Sequence, residues 1–174
     1  MKLIEMTAAL LRQHEGLQLR MYMDTEDNLT IGYGHNLQST PISEVAANVI
    51  LYGDIANALQ LCTMVMPRFY EMSTVRQAVI IDMMYNLGPH TFSKFVLFKG
   101  ALSSRAWSRA AAEMEDSKWF TQCGNRVSHL AEMMRSNEYL IQADESSDIL
   151  NLPDLDNNGA VGESEPEDPD AYMT

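Results

Sequence analysis

The chain is predicted to be α+β and mostly helical, with a small lobe carrying a β-hairpin or three-strand sheet, a long linking helix and a helical lobe. Three observations predict this. Apolar residues recur at three- and four-residue spacing over most of the sequence. One stretch, Leu17 to Asn36, instead breaks into short runs at Glu26-Asp27-Asn28, Gly32 and Gly34, as a small antiparallel sheet does. Start and stop signals divide the remainder into separate helices.

The first helix is expected from Leu3 to His14, where Leu3, Met6, Leu10 and Leu11 form one stripe. Glu15 then falls at its C-terminal end and Gly16 stops it. Asp24 and Thr30 are placed on strands of the sheet. Thr40-Pro41 supplies a cap and a first-turn proline for a second helix, with Ile42, Val45, Ala46, Val49, Tyr52, Ala56 and Leu59 carrying it to Met64. Pro67 ends that linking helix. Ser73-Thr74 caps a third segment, Val75 to Leu87, apolar nearly all round and so expected to be the buried central helix, with Gly88-Pro89 as its break. Further helices are expected over Thr91 to Phe98, Ser104 to Glu115 and Asn125 to Arg135, separated at Gly100 and Gly124. No internal repeat is visible.

A chain of 174 residues with 46% hydrophobic content has room for one domain of two lobes with a real core. The thirteen methionines suit irregular core gaps, which their flexible thioethers fill. Of the net charge of −12, ten acidic residues lie from Asp144 onward with no Lys or Arg among them, leaving 12 basic against 14 acidic in residues 1–143. We therefore divide the chain into a catalytic body, 1–143, and an acidic tail, 144–174. A near-neutral body lacks the basic footprint of a nucleic-acid binder and the basic stripe of a membrane-surface helix. Cys62 and Cys123 lack metal or redox spacing and are expected to stay reduced. The amino terminus meets Lys2 and Glu5 before any apolar run, unlike a signal peptide, and the near-apolar stretch Ala78 to Leu87 is too short to span a bilayer. A cytosolic product without stable membrane insertion is expected.

The chemistry concentrates in His14-Glu15-Gly16, Tyr22-Met23-Asp24-Thr25 and Thr30-Ile31-Gly32-Tyr33-Gly34-His35-Asn36. Two carboxylates and a hydroxyl, delivered by a helix end and a glycine-rich hairpin, can protonate a glycosidic oxygen on one side of a sugar and activate water on the other. Singly, Glu15 is an ordinary helix end, Asp24 a turn residue and Thr30 a strand former. Their joint spacing favours chemistry. His35 reads as a structural hydrogen-bond partner and Trp119 as a core anchor. His14, His90 and His129 show no ligand spacing, so no metal is expected in the body.

In these segments, and again in Met83-Met84-Tyr85-Asn86-Leu87-Gly88, Phe95, Trp119-Phe120 and Asn125-Arg126, the chain resembles the phage-type lysozymes or endolysins, glycoside hydrolase family 24, over residues 5 to 140. The resemblance implies a lysozyme-like two-lobed fold and a muramidase that hydrolyses the β-1,4 bond between N-acetylmuramic acid and N-acetylglucosamine in bacterial peptidoglycan, inverting the anomer. Glu15 would be the general acid, and Asp24 with Thr30 would hold and activate the water. Asn36, Tyr85 and Asn86 match substrate-contacting positions. Arg126 matches an arginine that pairs with the catalytic glutamate, with Asn125 beside it and His35 supporting the sheet side. No cofactor is implied. The expected setting is a monomer made in the host cytoplasm that reaches the wall through a holin. A virion-associated wall-degrading lysozyme is the alternative, followed by a non-catalytic peptidoglycan-binding protein, which the intact Glu15, Asp24 and Thr30 disfavour. Asp24 also separates the chain from lytic transglycosylases, which dispense with a water-activating aspartate.

The sequence departs from the family in several places. The segment between His35 and Gly88 is short, as in the family's compact members, and Phe98 and Glu113 stand where polar contacts are expected. The tail lies outside the resemblance. Its residues 154–165 fit a calcium-loop pattern with Asp154, Asp156, Asn158 and Glu165 as ligands and Gly159 at the turn. Pro153, Pro166 and Pro169 do not suit the usual flanking helices, which favours a solvated acidic tail over a calcium site.

Overall fold

The computed structural model describes residues 2–140. The calcium-loop pattern at 154–165 and the rest of the acidic tail therefore lie outside the described residues. The chain divides into two compact units, the first ending at Asp54 and the second beginning at Ile55.

In the first unit, helix α1 (Leu3–Glu15) opens with the Lys2 N–H donating to Glu5 Oε2 at 3.0 Å and ends at Gly16, φ 70°. An L side chain rarely adopts that conformation, so glycine terminates the helix there. Strands β1 (Gln18–Met23), β2 (Leu29–Gly32) and β3 (His35–Asn36) form a three-stranded antiparallel sheet in the order β1-β2-β3. Tyr22 pairs with Thr30, and Thr30 in turn with Asn36. Thr30 is thus central and only 2% exposed. Asp24, placed on a strand by the sequence, is instead the first residue of the β1–β2 turn. Its own side chain organises that turn, and a side chain that bonds the following backbone competes with strand pairing.

Helix α2 (Glu44–Val65) runs through the boundary between the units. It starts later than Thr40-Pro41 suggested, because Ser43 provides the cap: its Oγ accepts from the Ala46 N–H at 3.2 Å. By length and composition α2 is long and apolar enough to cross a membrane. Gly53-Asp54 interrupts its apolar run. In the second unit Ala58 and Cys62 of α2 are buried in the core, and Leu59 and Leu61 pack against it.

A 3-10 turn (Phe69–Glu71) follows, then α3 (Thr74–Ser93), α4 (Val96–Ser103), α5 (Trp107–Glu115) and α6 (Lys118–Ser136). Ser73 caps α3 as expected, its Oγ accepting from the Arg76 N–H. Gly88 breaks the helical dihedrals at φ 68°, yet helix resumes to Ser93 instead of starting afresh at Thr91. Proline in a first helical turn costs no hydrogen bond, so Pro89 restarts the helix at once. The next helix accordingly begins at Val96 and runs through Gly100, and α5 begins at Trp107, not Ser104. Helix α6 begins seven residues before Asn125, where Ser117 caps it by accepting from the Phe120 N–H, and it bends at Cys123 (φ −129°).

The core of this unit gathers Val79, Ile80, Met83 and Met84 of α3, Met114 of α5, and Val127, Met133 and Met134 of α6 around Phe69, Phe92 and Phe98. Each such side chain contributes about 1.5–3 kcal/mol by leaving water. Phe95 meets both Phe98 and Trp119 edge-on, with centroids 6.3 and 6.5 Å apart. Trp119 is 3% exposed, a core anchor as expected.

Candidate active site

The three residues singled out for catalysis all belong to the first unit. Glu15 is the last residue of α1. Its Oε2 lies 3.3 Å from the point a Cβ on Gly34 would occupy, and Gly34 has φ 80°. A side chain at 34 would be strained by its backbone and would crowd the carboxylate, so this glycine keeps open the space in which the Glu15 carboxylate lies.

Asp24 is held by its own turn. Its Oδ1 accepts from the backbone N–H of Glu26 at 2.8 Å and of Asn28 at 2.9 Å. The Asn28 side-chain amide lies 3.3 Å from each carboxylate oxygen, and the Thr30 hydroxyl lies 3.5 Å from Oδ2. The Asn28 backbone N–H is the main cause holding the Asp24 carboxyl below the usual aspartate range, helped by Glu26, the Asn28 amide and Thr30 and opposed by partial desolvation. Asp24 N–H donates back to the Asn28 carbonyl at 3.0 Å, closing the turn through Asp27 at φ 60°. Aspartate tolerates that left-handed conformation better than most residues.

Thr30 Oγ1 also lies 3.2 Å from the Asn28 carbonyl. With one proton, it donates to that carbonyl or to Asp24, not to both. The arrangement can therefore offer water two acceptors, Asp24 Oδ2 and Thr30 Oγ1, when the Thr30 proton rests on Asn28.

The supporting residues depart further from expectation. His35, expected to be a hydrogen-bond partner, has a buried Nε2 with no partner among the described residues. Its backbone pairs with Ile31 in the sheet. Asn36, expected to contact sugar, spends its Oδ1 on the N–H groups of Gln38 and Ser39, both at 2.9 Å. It thereby stabilises the loop after β3.

In the second unit, Tyr85 is 46% exposed at the end of the first segment of α3. Asn86, also assigned to substrate, accepts from the indole N–H of Trp119 at 2.6 Å and so fixes a core residue. Asn125 is exposed on α6. Arg126, given to the catalytic glutamate by the family resemblance, directs Nε and Nη2 onto the two oxygens of Asp82, each at 2.9 Å. This two-pronged pairing suits the rigid guanidinium fork and raises the Arg126 pKa. Asp82 and Asn28 are the residues that sequence reasoning missed. The signal for Asp82 was a lone acid inside an apolar helix, and Asn28 had been counted only as a strand breaker.

Among the described residues, at least two cavities open in the second unit. One of about 320 Å³ is lined by Met66, Arg68, Glu71, Lys99, Arg105 and Trp107. The other, of about 530 Å³, is lined by Phe95, Phe98, Glu113, Lys118 and Trp119. Neither is lined by Glu15, Asp24 or Thr30, so neither is built around the proposed chemistry. Among the described residues, no group of three or more His, Cys, Asp or Glu side chains is placed to hold a metal ion.

Residues 12–138 match the Phage lysozyme family. The chain is similar to Probable T4-type lysozyme 2 of Dictyostelium discoideum, with 27% identity over 75% of this chain and 95% of the relative. It is similar to Probable T4-type lysozyme 1 of the same organism at 23% identity, over 73% of this chain and 92% of the relative. It also resembles the Pre-baseplate central spike protein Gp5 of Enterobacteria phage T4 at 25% identity, over 71% of this chain but only 26% of that longer protein. The match spans most of the chain, including Glu15, Asp24 and Thr30, and the chain therefore belongs to the phage lysozyme family, a lysozyme-type glycoside hydrolase.

Proposed function

We propose that the protein is an endolysin, a muramidase that cleaves the N-acetylmuramic acid to N-acetylglucosamine β-1,4 bond of bacterial peptidoglycan with inversion during host-cell lysis. The observation that carries this reading is the Asp24 carboxylate, with Oδ1 occupied by backbone donors and Oδ2 beside the Thr30 hydroxyl. That carboxylate is ready to accept a proton from water. In the reaction, a water O–H bond breaks and its proton passes to Asp24 Oδ2, while the water oxygen bonds to the anomeric carbon. The glycosidic C–O bond breaks on the opposite face, and the Glu15 proton goes to the leaving oxygen. No covalent sugar–enzyme intermediate and no cofactor are required. Asn36, Tyr85 and Asn86 are proposed substrate-side residues, with His35 and Asn125 supporting the site and Arg126 a proposed modulator of Glu15. Release from the host cytoplasm through a holin, action as a monomer, and a tail without bound calcium belong to the same proposal.

The similarity to a phage spike protein favours one second reading, the same chemistry used at virion entry. Clearing of outer-membrane-stripped bacteria by wild type, Glu15→Gln and Asp24→Asn, with mass and anomer analysis of released muropeptides, tests the chemistry. Reducing muramic acid ends of inverted configuration are expected, with each variant at least about 100-fold slower. Anhydro ends, retained configuration or equal clearing by the variants would overturn the mechanism. Finding the protein in purified virions would replace the lysis role with entry.

A further inference from the structure

We infer that Asn28 is a positioning residue for the proposed hydrolysis, selecting which oxygen of Asp24 acts as the base and freeing Thr30 to accept from water. The inference rests on the muramidase reading and adds to it a residue outside the three named for catalysis.

Asn28 engages both partners through three separate groups. Its backbone N–H donates to Asp24 Oδ1 at 2.9 Å. Its side-chain amide reaches both Asp24 oxygens at 3.3 Å. Its carbonyl accepts from the Asp24 N–H at 3.0 Å and lies 3.2 Å from Thr30 Oγ1. With the Glu26 N–H, Oδ1 thus has three donors, whereas Oδ2 has only the amide and the longer Thr30 contact. A carboxylate oxygen with fewer donors is the better proton acceptor, so the reacting oxygen is Oδ2. Because the Asn28 carbonyl is the nearer acceptor for the Thr30 proton, the Thr30 oxygen is left to take one hydrogen of the water that Oδ2 deprotonates.

Among the described residues, the groups that hydrogen-bond the Asp24 carboxylate are these uncharged donors. The neighbouring acids Glu26 and Asp27 are exposed, and their side chains make no hydrogen bond to it among the described residues. Hydrogen bonds from this one turn therefore set its charge state, and the Asn28 amide alone can be removed without touching the backbone.

The test compares wild type, Asn28→Ala, Asn28→Ser and Asn28→Asp in three measurements: kcat and KM on soluble peptidoglycan fragments across pH, thermal unfolding, and NMR titration of the Asp24 carboxyl carbon. For Asn28→Ala, kcat is expected to fall about tenfold with KM within about twofold, the size expected for loss of one hydrogen bond to a charged group. The acid limb of the pH profile and the NMR midpoint of Asp24 should move upward together. Asn28→Asp should raise both further, because a like charge joins Asp24. Asn28→Ser, a milder change, keeps the test decisive should the alanine variant unfold. An unshifted Asp24 midpoint with wild-type kcat in the alanine or serine variant would overturn the inference. So would losses that follow the unfolding temperature alone and are equal for serine and aspartate. Inactive wild type would overturn the muramidase reading instead, while the NMR titration would still decide whether Asn28 governs Asp24.

Discussion

Replacing Asn86 with alanine separates a structural role from a substrate role at one atom. The Trp119 indole N–H donates to Asn86 Oδ1 at 2.6 Å, and Trp119 is 3% exposed. Asn86 itself lies on the exposed side of α3, so its truncation removes little packing. The main loss is the acceptor for a buried N–H, and an unsatisfied buried donor costs about 1–3 kcal/mol. We expect Asn86→Ala to destabilise the protein by about 2 kcal/mol, a drop in Tm of roughly 4–8 °C for a chain of this size. Thermal and denaturant unfolding measure this directly. Trp119→Phe removes the donor as well, so a double-mutant cycle should give a coupling of about 1 kcal/mol, with Asn86→Ala costing less in the phenylalanine background. Unfolding free energy within about 0.5 kcal/mol of wild type, together with a several-fold rise in KM, would refute this reasoning and leave Asn86 a substrate role alone.

Asp82→Asn should destabilise the second unit, because it removes the charge facing the Arg126 fork, but by only about 1 kcal/mol since both side chains are over one-third exposed; added salt should reduce the difference in denaturation midpoint. Burial pushes the Cys62 thiol up to about 12, so at pH 8 iodoacetamide should leave Cys62 unmodified in the native protein and label it in denaturant, as peptide mass mapping would show. Asp24 has a depressed folded-state pKa, so the stability it contributes is complete above the unfolded value of about 3.9 and is lost as pH falls through the lower folded value. Its acid limb in a rate profile should accordingly lie below the ordinary aspartate range, and a limb displaced above that range would contradict the geometry. His35→Phe should leave stability unchanged or raise it by about 1 kcal/mol, because it removes a buried nitrogen with no partner; a clear drop in Tm would show that the ring makes a bond not seen here.

Most of the architecture was legible because local signals coincide with the chain's real punctuation. Gly16 ends α1, Ser73 caps α3 and Gly88 breaks it, each where a special dihedral or a cap hydrogen bond requires that residue. Boundaries went astray where a second signal stood nearby. Ser43 caps α2 in place of Thr40-Pro41, and Ser117 starts α6 well before the Asn125 run that carries its apolar stripe. The site was legible as a set of residue types, but not as a set of partnerships. Spacing placed Glu15, Asp24 and Thr30 in one unit, yet nothing in it shows that Asn36 and Asn86 spend their carbonyl oxygens on local structure, or that Arg126 has Asp82 to bind. Long-range pairings such as Asn86 with Trp119 depend on how helices pack, which periodicity alone does not fix.

The same contrast bears on how each half of the chemistry can vary. Among the described residues, every hydrogen bond holding Asp24 comes from within six positions along the chain. Its orientation and charge state are therefore set by one turn and the first pair of residues of β2. Glu15 depends instead on a close approach to Gly34, nineteen positions away, across two strands and their turns. A register slip of one residue would carry Gly34 away and replace it with a neighbour bearing a side chain. Substitutions that loosen the sheet without touching the 24–30 turn should therefore impair proton donation before they impair water activation. Their activity loss should then shrink on a substrate whose leaving group needs no protonation, while the acid limb that belongs to Asp24 stays in place.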